Sequence, residues 1–417
     1  MAPHRIPSSE VNSQESSSLH VLIIGGGLAG LSLAHGLKKN DVPFTIVDRE
    51  TSPRGRNWGV TLSWGHAQLE RLLPADLWAN LQQCQPDASL NVKTSDKQCI
   101  LVRDGKTGEV LNAAPFPGIR RLQIRKTKRN WAKGLDIQYG KKLVDIETLD
   151  GGEDDGRRVL AKFEDGTSIA ASVVVGADGG VSNVRRWLLG AERAEQEVLP
   201  YTFMNFPFTL PADKAVWLDN EMNPNVDVAP HPKSMYMGIF LLDKPDLERP
   251  ETWVFYILTT WPVENDAQEK EDETSADRLR RLRRQMEGWA DPYKTIIELL
   301  PDDVEIAKNQ LRIWHPQPWD NHGGRVTLAG DAAHSMTFHR GQGGNLAIRD
   351  ADEFVNTMIA VKSEQKTLVD ALDEYDRGVV ERGQEVAISK EQTKAFHDYE
   401  NFLNSPVVKM GIKPSSK

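Results

Sequence analysis

Cysteine is nearly absent: Cys84 and Cys99 are the only two in 417 residues. Two thiols make no disulfide framework, so a reducing compartment is expected. No apolar run approaches the roughly 20 residues of a membrane-spanning helix. The opening segment MAPHRIPSSEVNSQESSS has no apolar stretch of the secretory type and reads as a disordered Ser-rich tail over residues 1–18. Excess positive charge is missing too. A formal net charge of -9 gives the chain no global attraction for nucleic acid or an anionic membrane. A soluble cytoplasmic protein is expected, with no nucleic-acid or membrane partner, no metal centre and no internal repeat. What remains is ordinary for a globular enzyme, with 39% hydrophobic and 27% charged residues. The length suits two or three domains, or one large fold carrying insertions. Eleven tryptophans against seven tyrosines read first as core and edge packing, and second as walls for a planar ligand.

Apolar patterning gives the organisation. His20–Ile24 (HVLII) is a buried strand ending in Gly25-Gly26-Gly27, and a helical pattern follows with Leu28, Leu31, Ala34 and Leu37 on one face. Phe44–Val47 is the next strand and ends at Asp48, which completes a β-α-β unit. Residues 120–133 (RRLQIRKTKRNWAK) carry seven basic side chains and read as a solvated helix face, with phosphate contact by one member as the alternative. A third apolar strand spans 168–178 and runs into a Gly-Asp-Gly turn. Residues 201–262 alternate aromatic and polar runs and read as a second sheet. An acidic, mobile loop follows at 264–277, then helices at 277–289 and 292–300. Arg325–Ala329 is a fourth strand, an amphipathic helix starts near Gly344, and one long polar helix covers 365–404. The expected fold is α/β: a Rossmann-type FAD-binding domain with an inserted β-sheet substrate domain and a C-terminal helix. The expected divisions are a first cofactor part at 19–200, an insert at 201–311, a second cofactor part at 312–364, and a helical segment at 365–417.

Three glycine-rich turns carry the chemistry. Gly25-Gly26-Gly27-Leu28-Ala29-Gly30 has the form GxGxxG. Gly25 permits the tight turn, Gly27 lets the backbone approach a pyrophosphate, and Gly30 allows close helix–strand packing. The helix behind it offers free N–H groups and the positive end of its dipole to phosphate. Asp48 ends the second strand, where it can accept hydrogen bonds from ribose hydroxyls. Gly176-Ala177-Asp178-Gly179 and Gly330-Asp331-Ala332-Ala333-His334, the latter followed by RGQGGN, also sit at strand ends. A nicotinamide-only dehydrogenase needs neither, whereas FAD extends beyond the first unit and needs further backbone contacts.

With GGGLAG, RNWGVTLSW, GADGGVSNVRR and GDAAHSMTFHRGQGGN together, the chain resembles the class A flavoprotein aromatic hydroxylases and epoxidases, in particular the fungal salicylate-hydroxylase-like branch. The resemblance runs from about residue 20 to the last helix. It implies that Gly25, Gly27, Gly30 and Asp48 hold the ADP half of FAD, that Gly59 and Arg125 contact the flavin, and that Asp331 bonds the ribityl chain. It implies that the helix starting at Gly344-Asn345 points its N-terminus at the flavin pyrimidine, and that Asp178-Gly179 serves both FAD and a visiting NADPH or NADH. No second GxGxxG provides a separate nicotinamide site. The implied reaction reduces FAD by NAD(P)H and passes one atom of O2 to a small-molecule substrate through a flavin hydroperoxide, as in secondary metabolism.

Two departures from the family pattern stand out. Thr337-Phe338-His339 replaces a loop that usually carries proline beside the flavin, so Phe338 and His339 become candidate catalytic residues. His339 reads either as a supporting polar residue or as a proton-handling group. The strand Tyr201–Phe208 has no Arg, Lys or His, which suggests an apolar, weakly acidic substrate, with Tyr201, Phe203 and Tyr236 as candidate contacts. His334 reads as packing behind its turn, and both cysteines as unreactive. A flavin oxidoreductase or cyclase without oxygen insertion is the first alternative, and a non-catalytic nucleotide-binding protein the second.

Overall fold

The computed structural model describes residues 19–52, 57–91, 99–115, 118–149, 158–263 and 274–405. The expected tail at 1–18 lies outside them, as does most of the acidic loop.

Val21–Ile24 is buried throughout because it is the middle of a five-stranded parallel sheet in the order Val326–Leu328, Val173–Gly176, Val21–Ile24, Phe44–Asp48, Ile137–Tyr139. Parallel strands covered on both faces read as continuous apolar runs, as these do. The expected strand over 168–178 is two strands. Ser168–Ala171 pairs with Arg158–Phe163 in a separate three-stranded antiparallel sheet, and Val173–Gly176 enters the parallel one. The switch falls at Ser172, whose N–H donates to the His20 carbonyl while its hydroxyl accepts from the His20 N–H.

The second large sheet has seven strands, in the order Ala307–Ile313, Glu197–Phe208, Val254–Pro262, Met235–Asp243, Val226–His231, Cys99–Arg103, Val110–Pro115. This corrects the expected division at 201–311. The last two strands come from inside the first cofactor part, and the sheet begins at Glu197 and ends at Ile313. The two-residue period separates its faces. Met235, Met237, Ile239 and Leu241 pack under helices Ser275–Gln285 and Tyr293–Leu299, while Tyr236 and Phe240 point to the other side. A two-stranded ribbon, Gly59–Leu62 against Arg120–Gln123, is the fourth and smallest sheet among the described residues.

The basic segment is not a solvated helix face. It forms the strand Arg120–Gln123 and the helix Ile124–Trp131, with Arg121, Thr127 and Lys128 buried. The long C-terminal helix breaks at Gly383 into Leu368–Arg382 and Gln384–Phe396. There a Cβ would stand 2.4 Å from the Pro316 ring. Behind the third glycine turn, fully buried Asp350 accepts hydrogen bonds from the Gly330 N–H at 2.8 Å, His334 Nε2 at 2.6 Å and Arg382 Nε at 2.9 Å.

The first glycine turn depends on one close approach. Gly25 takes φ 114°, and a Cβ on Gly30 would lie 1.8 Å from the Gly25 carbonyl oxygen. That contact is backbone on backbone and cannot be relieved by a side chain. Gly30→Ala is therefore expected to lower stability to denaturant by about 2–3 kcal/mol, and an unchanged unfolding midpoint would show that helix Leu28–Lys39 can withdraw from the sheet freely.

Candidate functional site

A cleft of about 740 Å³ runs between the two large sheets, a volume typical of small-molecule sites. All three glycine turns open at one end of it. Gly25, Gly27, Asp48, Asp178 and Asp331 line it, as do Gly59 and Gly344. The N-terminus of the 20-residue helix Gly343–Lys362 faces the same space through Gly343 and Gly344.

Each acid is set differently. Asp48 is buried, and its two carboxylate oxygens accept the N–H groups of Gly26 at 3.0 Å and Glu50 at 2.9 Å, with Lys128 Nζ 3.6 Å away. Asp178 accepts from the Asn183 and Val184 N–H groups through Oδ2 at 2.7 and 3.3 Å, while its buried Oδ1 has no partner among the described residues. Burial raises its carboxyl above the usual range despite those bonds. Asp331 opens onto the cleft and is enclosed by protein behind. Burial raises its carboxyl, opposed by His334 and Arg185.

These positions fit FAD. A Cβ on Gly27 would meet nothing within 4 Å, which leaves the backbone open to a phosphate. The unpartnered Asp178 oxygen and the cleft-facing Asp331 carboxylate provide acceptors for hydroxyl groups, as a ribityl chain carries.

The other end of the cleft is apolar and aromatic. Ile100, Val228, Tyr236, Phe240, Leu258 and Phe396 form one wall. Phe338, half-buried, forms part of another and stacks on His339 with ring centres 4.3 Å apart.

The structure departs from sequence expectation at several candidates. Arg125 is exposed on the first turn of its helix and does not line the cleft, where Arg121 and Lys128 stand instead. Asn345 is fully buried and spent on the fold. Its Oδ1 accepts the Ser63 and Gly65 N–H groups, and its Nδ2 donates to the carbonyls of Thr61 and Gly341. Tyr201 packs on His397 and Phe203 on Phe338, and neither lines the cleft; Tyr236 does.

His339 lines the cleft with its ring face, but both nitrogens are engaged: Nε2 with the Thr260 hydroxyl at 3.2 Å, Nδ1 with the Thr393 hydroxyl at 3.1 Å. Burial, then His397, pushes it well below its ordinary pKa, so it is a neutral wall residue here and not a free acid or base. His334 lies behind the turn, where burial alone would lower its pKa and Asp350 reverses the direction. Both cysteine thiols are pushed up by burial, as expected of unreactive groups.

Sequence reasoning missed Arg121, Phe240 and Trp58. Trp58 is 41% exposed and lines the cleft, whereas five of the other ten tryptophans are buried. The alternation in Arg120–Gln123 was the available signal for Arg121, but only the ribbon partner Gly59–Leu62 fixes which side it faces.

A FAD binding domain family model matches residues 127–388, and an NAD(P)-binding Rossmann-like domain model matches 23–66. The FAD-dependent monooxygenase phnB of Penicillium herquei is 32% identical over 407 residues, covering 96% of each chain. The FAD-dependent monooxygenase cctM of Talaromyces islandicus is 31% identical over 95% of this chain and 97% of its own. Among solved structures, Pseudomonas aeruginosa PqsL in complex with 2-aminobenzoylacetate superimposes with a TM-score of 0.71 at 20% identity, over 93% of this chain and 98% of its own. Klebsiella pneumoniae HpxO with FAD and uric acid gives 0.70 at 18%, over 93% and 90%. Fold and cleft define a flavin-dependent oxidoreductase built on a dinucleotide-binding sheet. Within that class the chain belongs to the FAD-dependent monooxygenases. Among the described residues no helix is long and apolar enough to cross a membrane.

Two substitutions separate binding from folding. Asp331→Ala is expected to cost about 2–3 kcal/mol of FAD affinity, the scale of one charge-assisted hydrogen bond, with unfolding unchanged. Gly27→Ala places a methyl group in the open cradle and should weaken FAD in the same way. Titration of the apoproteins with FAD reads both; unchanged affinity in Asp331→Ala would reduce that residue to a helix cap.

Proposed function

We propose that this enzyme uses NADPH or NADH and O2 to hydroxylate or epoxidise an aromatic small molecule, in secondary metabolism. The observation that carries the reading is the continuity of one cleft, from the three glycine turns to an aromatic wall. Bound FAD supplies the redox chemistry: it accepts hydride from the nicotinamide and activates oxygen. The protein's part is to bind, orient and keep water out.

Gly25, its own N–H spent on the Val47 carbonyl, makes the tight turn; Gly27 and the first N–H groups of helix Leu28–Lys39 would face the pyrophosphate, and Asp48 would receive the adenosine ribose. Asp331 receives the ribityl hydroxyls. The N-terminus of Gly343–Lys362 would stabilise negative charge on a flavin bound in this cleft. Phe338 and Tyr236 close the substrate end, and Phe338 takes over the water-excluding task that proline performs in related loops. His339 transfers no proton in this scheme; its neutral ring holds Phe338 in place by stacking. The FAD-dependent urate hydroxylase of Mycolicibacterium vanbaalenii, 25% identical over 390 residues, supports hydroxylation as the reaction type.

The lack of a proline at Thr337-Phe338-His339 keeps a second reading in view: a flavin oxidoreductase or cyclase that transfers hydride and inserts no oxygen. Anaerobic reduction of the FAD-loaded protein by NADPH with candidate substrates, followed by oxygen, separates the two. An oxygenated product supports the monooxygenase; NADPH consumption without one for any bound substrate favours the oxidoreductase. Phe338→Ala is expected to raise hydrogen peroxide formed per NAD(P)H consumed, by several-fold, while FAD remains bound. An unchanged ratio would mean that Phe338 does not face the reacting atoms.

A further inference from the structure

The helix Gln384–Phe396 carries a buried polar stripe that the reading above does not use. Glu385, Ser389, Thr393 and the capping residue His397 recur every fourth residue and so share one face. All four are buried. Polar groups taken out of water need partners, and here the partners come from one short stretch, Met336–Arg340, which lacks the proline of related loops. Glu385 pairs with Arg340. The Ser389 carbonyl accepts the Thr337 hydroxyl at 3.0 Å, and the Ser389 hydroxyl lies 3.6 Å from Met336 Sδ. The Thr393 hydroxyl stands 2.9 Å from that of Thr337 and 3.1 Å from His339 Nδ1. His397 reaches His339 through the fully buried Thr260 hydroxyl, 3.0 Å from one ring and 3.2 Å from the other.

The hydrogen atoms along this path follow from one fixed end. The Thr393 carbonyl can only accept, so His397 Nδ1, 2.6 Å from it, carries a hydrogen. Burial pushes His397 down to about 4 against the pull of that bond, so the ring is neutral and its Nε2 accepts. The Thr260 hydroxyl donates to it and, with its one hydrogen spent, accepts from His339 Nε2. His339 is neutral as well, so its Nδ1 accepts from the Thr393 hydroxyl. The His339 ring is thus held from two sides, by the strand Val254–Pro262 at Thr260 and by the helix at Thr393. Phe338 is apolar and takes its place from ring contacts, with His339 at 4.3 Å, Phe203 at 5.2 Å and Tyr236 at 5.9 Å between centres.

We propose that Thr393 and His397 are positioning residues for the oxygen-transfer step: by fixing the ring and tautomer of His339 they hold Phe338 as the wall over the bound flavin. This rests on the monooxygenase reading and assigns the ordering of its reaction chamber to the C-terminal helix. A proline would fix φ within the loop itself; here a second element does so from outside. A buried hydrogen-bonded network suits that task because it is satisfied in one geometry and costly in others, whereas an apolar stripe of similar volume would tolerate a range of ring positions. The same helix contributes Phe396 to the aromatic wall, edge-on to Tyr236 with ring centres 4.7 Å apart. One helix therefore supports both the substrate wall and the loop. Since His339 meets the cleft with its ring face and spends both nitrogens on Thr260 and Thr393, the network carries position and hands no proton to a substrate.

The test uses FAD-loaded protein and two readouts that need no substrate. Nitrogen-15 NMR of histidine-labelled protein reads the tautomer of His339, whose signals are identified by their loss in His339→Phe. Quenching of the bound-flavin fluorescence by iodide reads how well the wall shields the ring system, with Phe338→Ala as the unshielded limit. Wild type should show one His339 tautomer, with hydrogen on Nε2, and weak quenching. Thr393→Val keeps the shape and removes the hydroxyl; it should mix the tautomers and raise quenching several-fold towards that of Phe338→Ala, with FAD retained. Thr393→Ser keeps the hydroxyl and should restore both readouts. Thr260→Val cuts the link to His397 from the sheet side and should act like Thr393→Val, so the proposal stays open to refutation if the helix variant fails to fold. A His339 ring with hydrogen on Nδ1 in wild type would overturn the proposal. So would Phe338→Ala quenching no stronger than wild type, wild-type quenching in Thr393→Val and Thr260→Val, or a Thr393→Ser protein that behaves like Thr393→Val. The monooxygenase reading is decided separately, by the anaerobic reduction experiment above: absence of oxygenated product with both readouts as expected counts against that reading alone.

Discussion

The buried carboxylate of Asp350 is the constraint on which the cleft depends. It lies on the helix whose N-terminus faces the cofactor space and receives three hydrogen bonds at once, from the Gly330 N–H, His334 and Arg382. Burial alone would raise such an acid, but the charges of His334 and Arg382 outweigh that and hold it at about 2. The result is a fixed distance between the third glycine turn, the long helix and the helix Leu368–Arg382. Asp331 starts one residue after the Gly330 N–H that Asp350 holds, so its direction into the cleft is set from behind. Removing one partner of such a buried cluster leaves the others uncompensated, which is the costly case.

The cleft then divides by physical character. At one end stand backbone N–H groups, helix N-termini and three acids, suited to phosphates and hydroxyls. At the other end the seven-stranded sheet presents its Tyr236–Phe240 face, dry apart from Arg121 and the Tyr236 hydroxyl. The short ribbon Gly59–Leu62 with Arg120–Gln123 belongs to both. Its first strand, through Gly59 and Val60, borders the cofactor space, and its second delivers Arg121 to the substrate wall. One two-stranded element thus couples the position of the cofactor to that of the substrate.

Local sequence patterns pointed to residues that line one stretch of the cleft. Gly25, Gly27, Asp48, Asp178 and Asp331 all line the cleft because strand, turn and helix start are contiguous in sequence, and contiguity fixes where they point. The substrate end depends on pairings between distant segments, and those were hidden. Cys99–Arg103 joins the seven-stranded sheet beside Val226–His231, more than a hundred residues on. Arg121 was submerged in a run of basic residues whose average polarity suggested solvent, although its strand partner buries it. Asn345 and His339 had the right chemistry for a site, but their polar atoms are consumed by Ser63, Gly65, Thr260 and Thr393. Only the folded hydrogen-bond accounting reveals that.

The central claim is that a buried charge cluster behind the third glycine turn sets the geometry of FAD binding. Titration of Asp350→Asn apoprotein with FAD tests it most directly, beside an unfolding measurement on the same sample. Asparagine keeps the shape and loses the charge that holds His334 and Arg382. The account predicts a folded protein with FAD affinity lowered about tenfold or more, the effect of displacing one charge-assisted contact at Asp331. Wild-type FAD affinity in a protein with this substitution would contradict it.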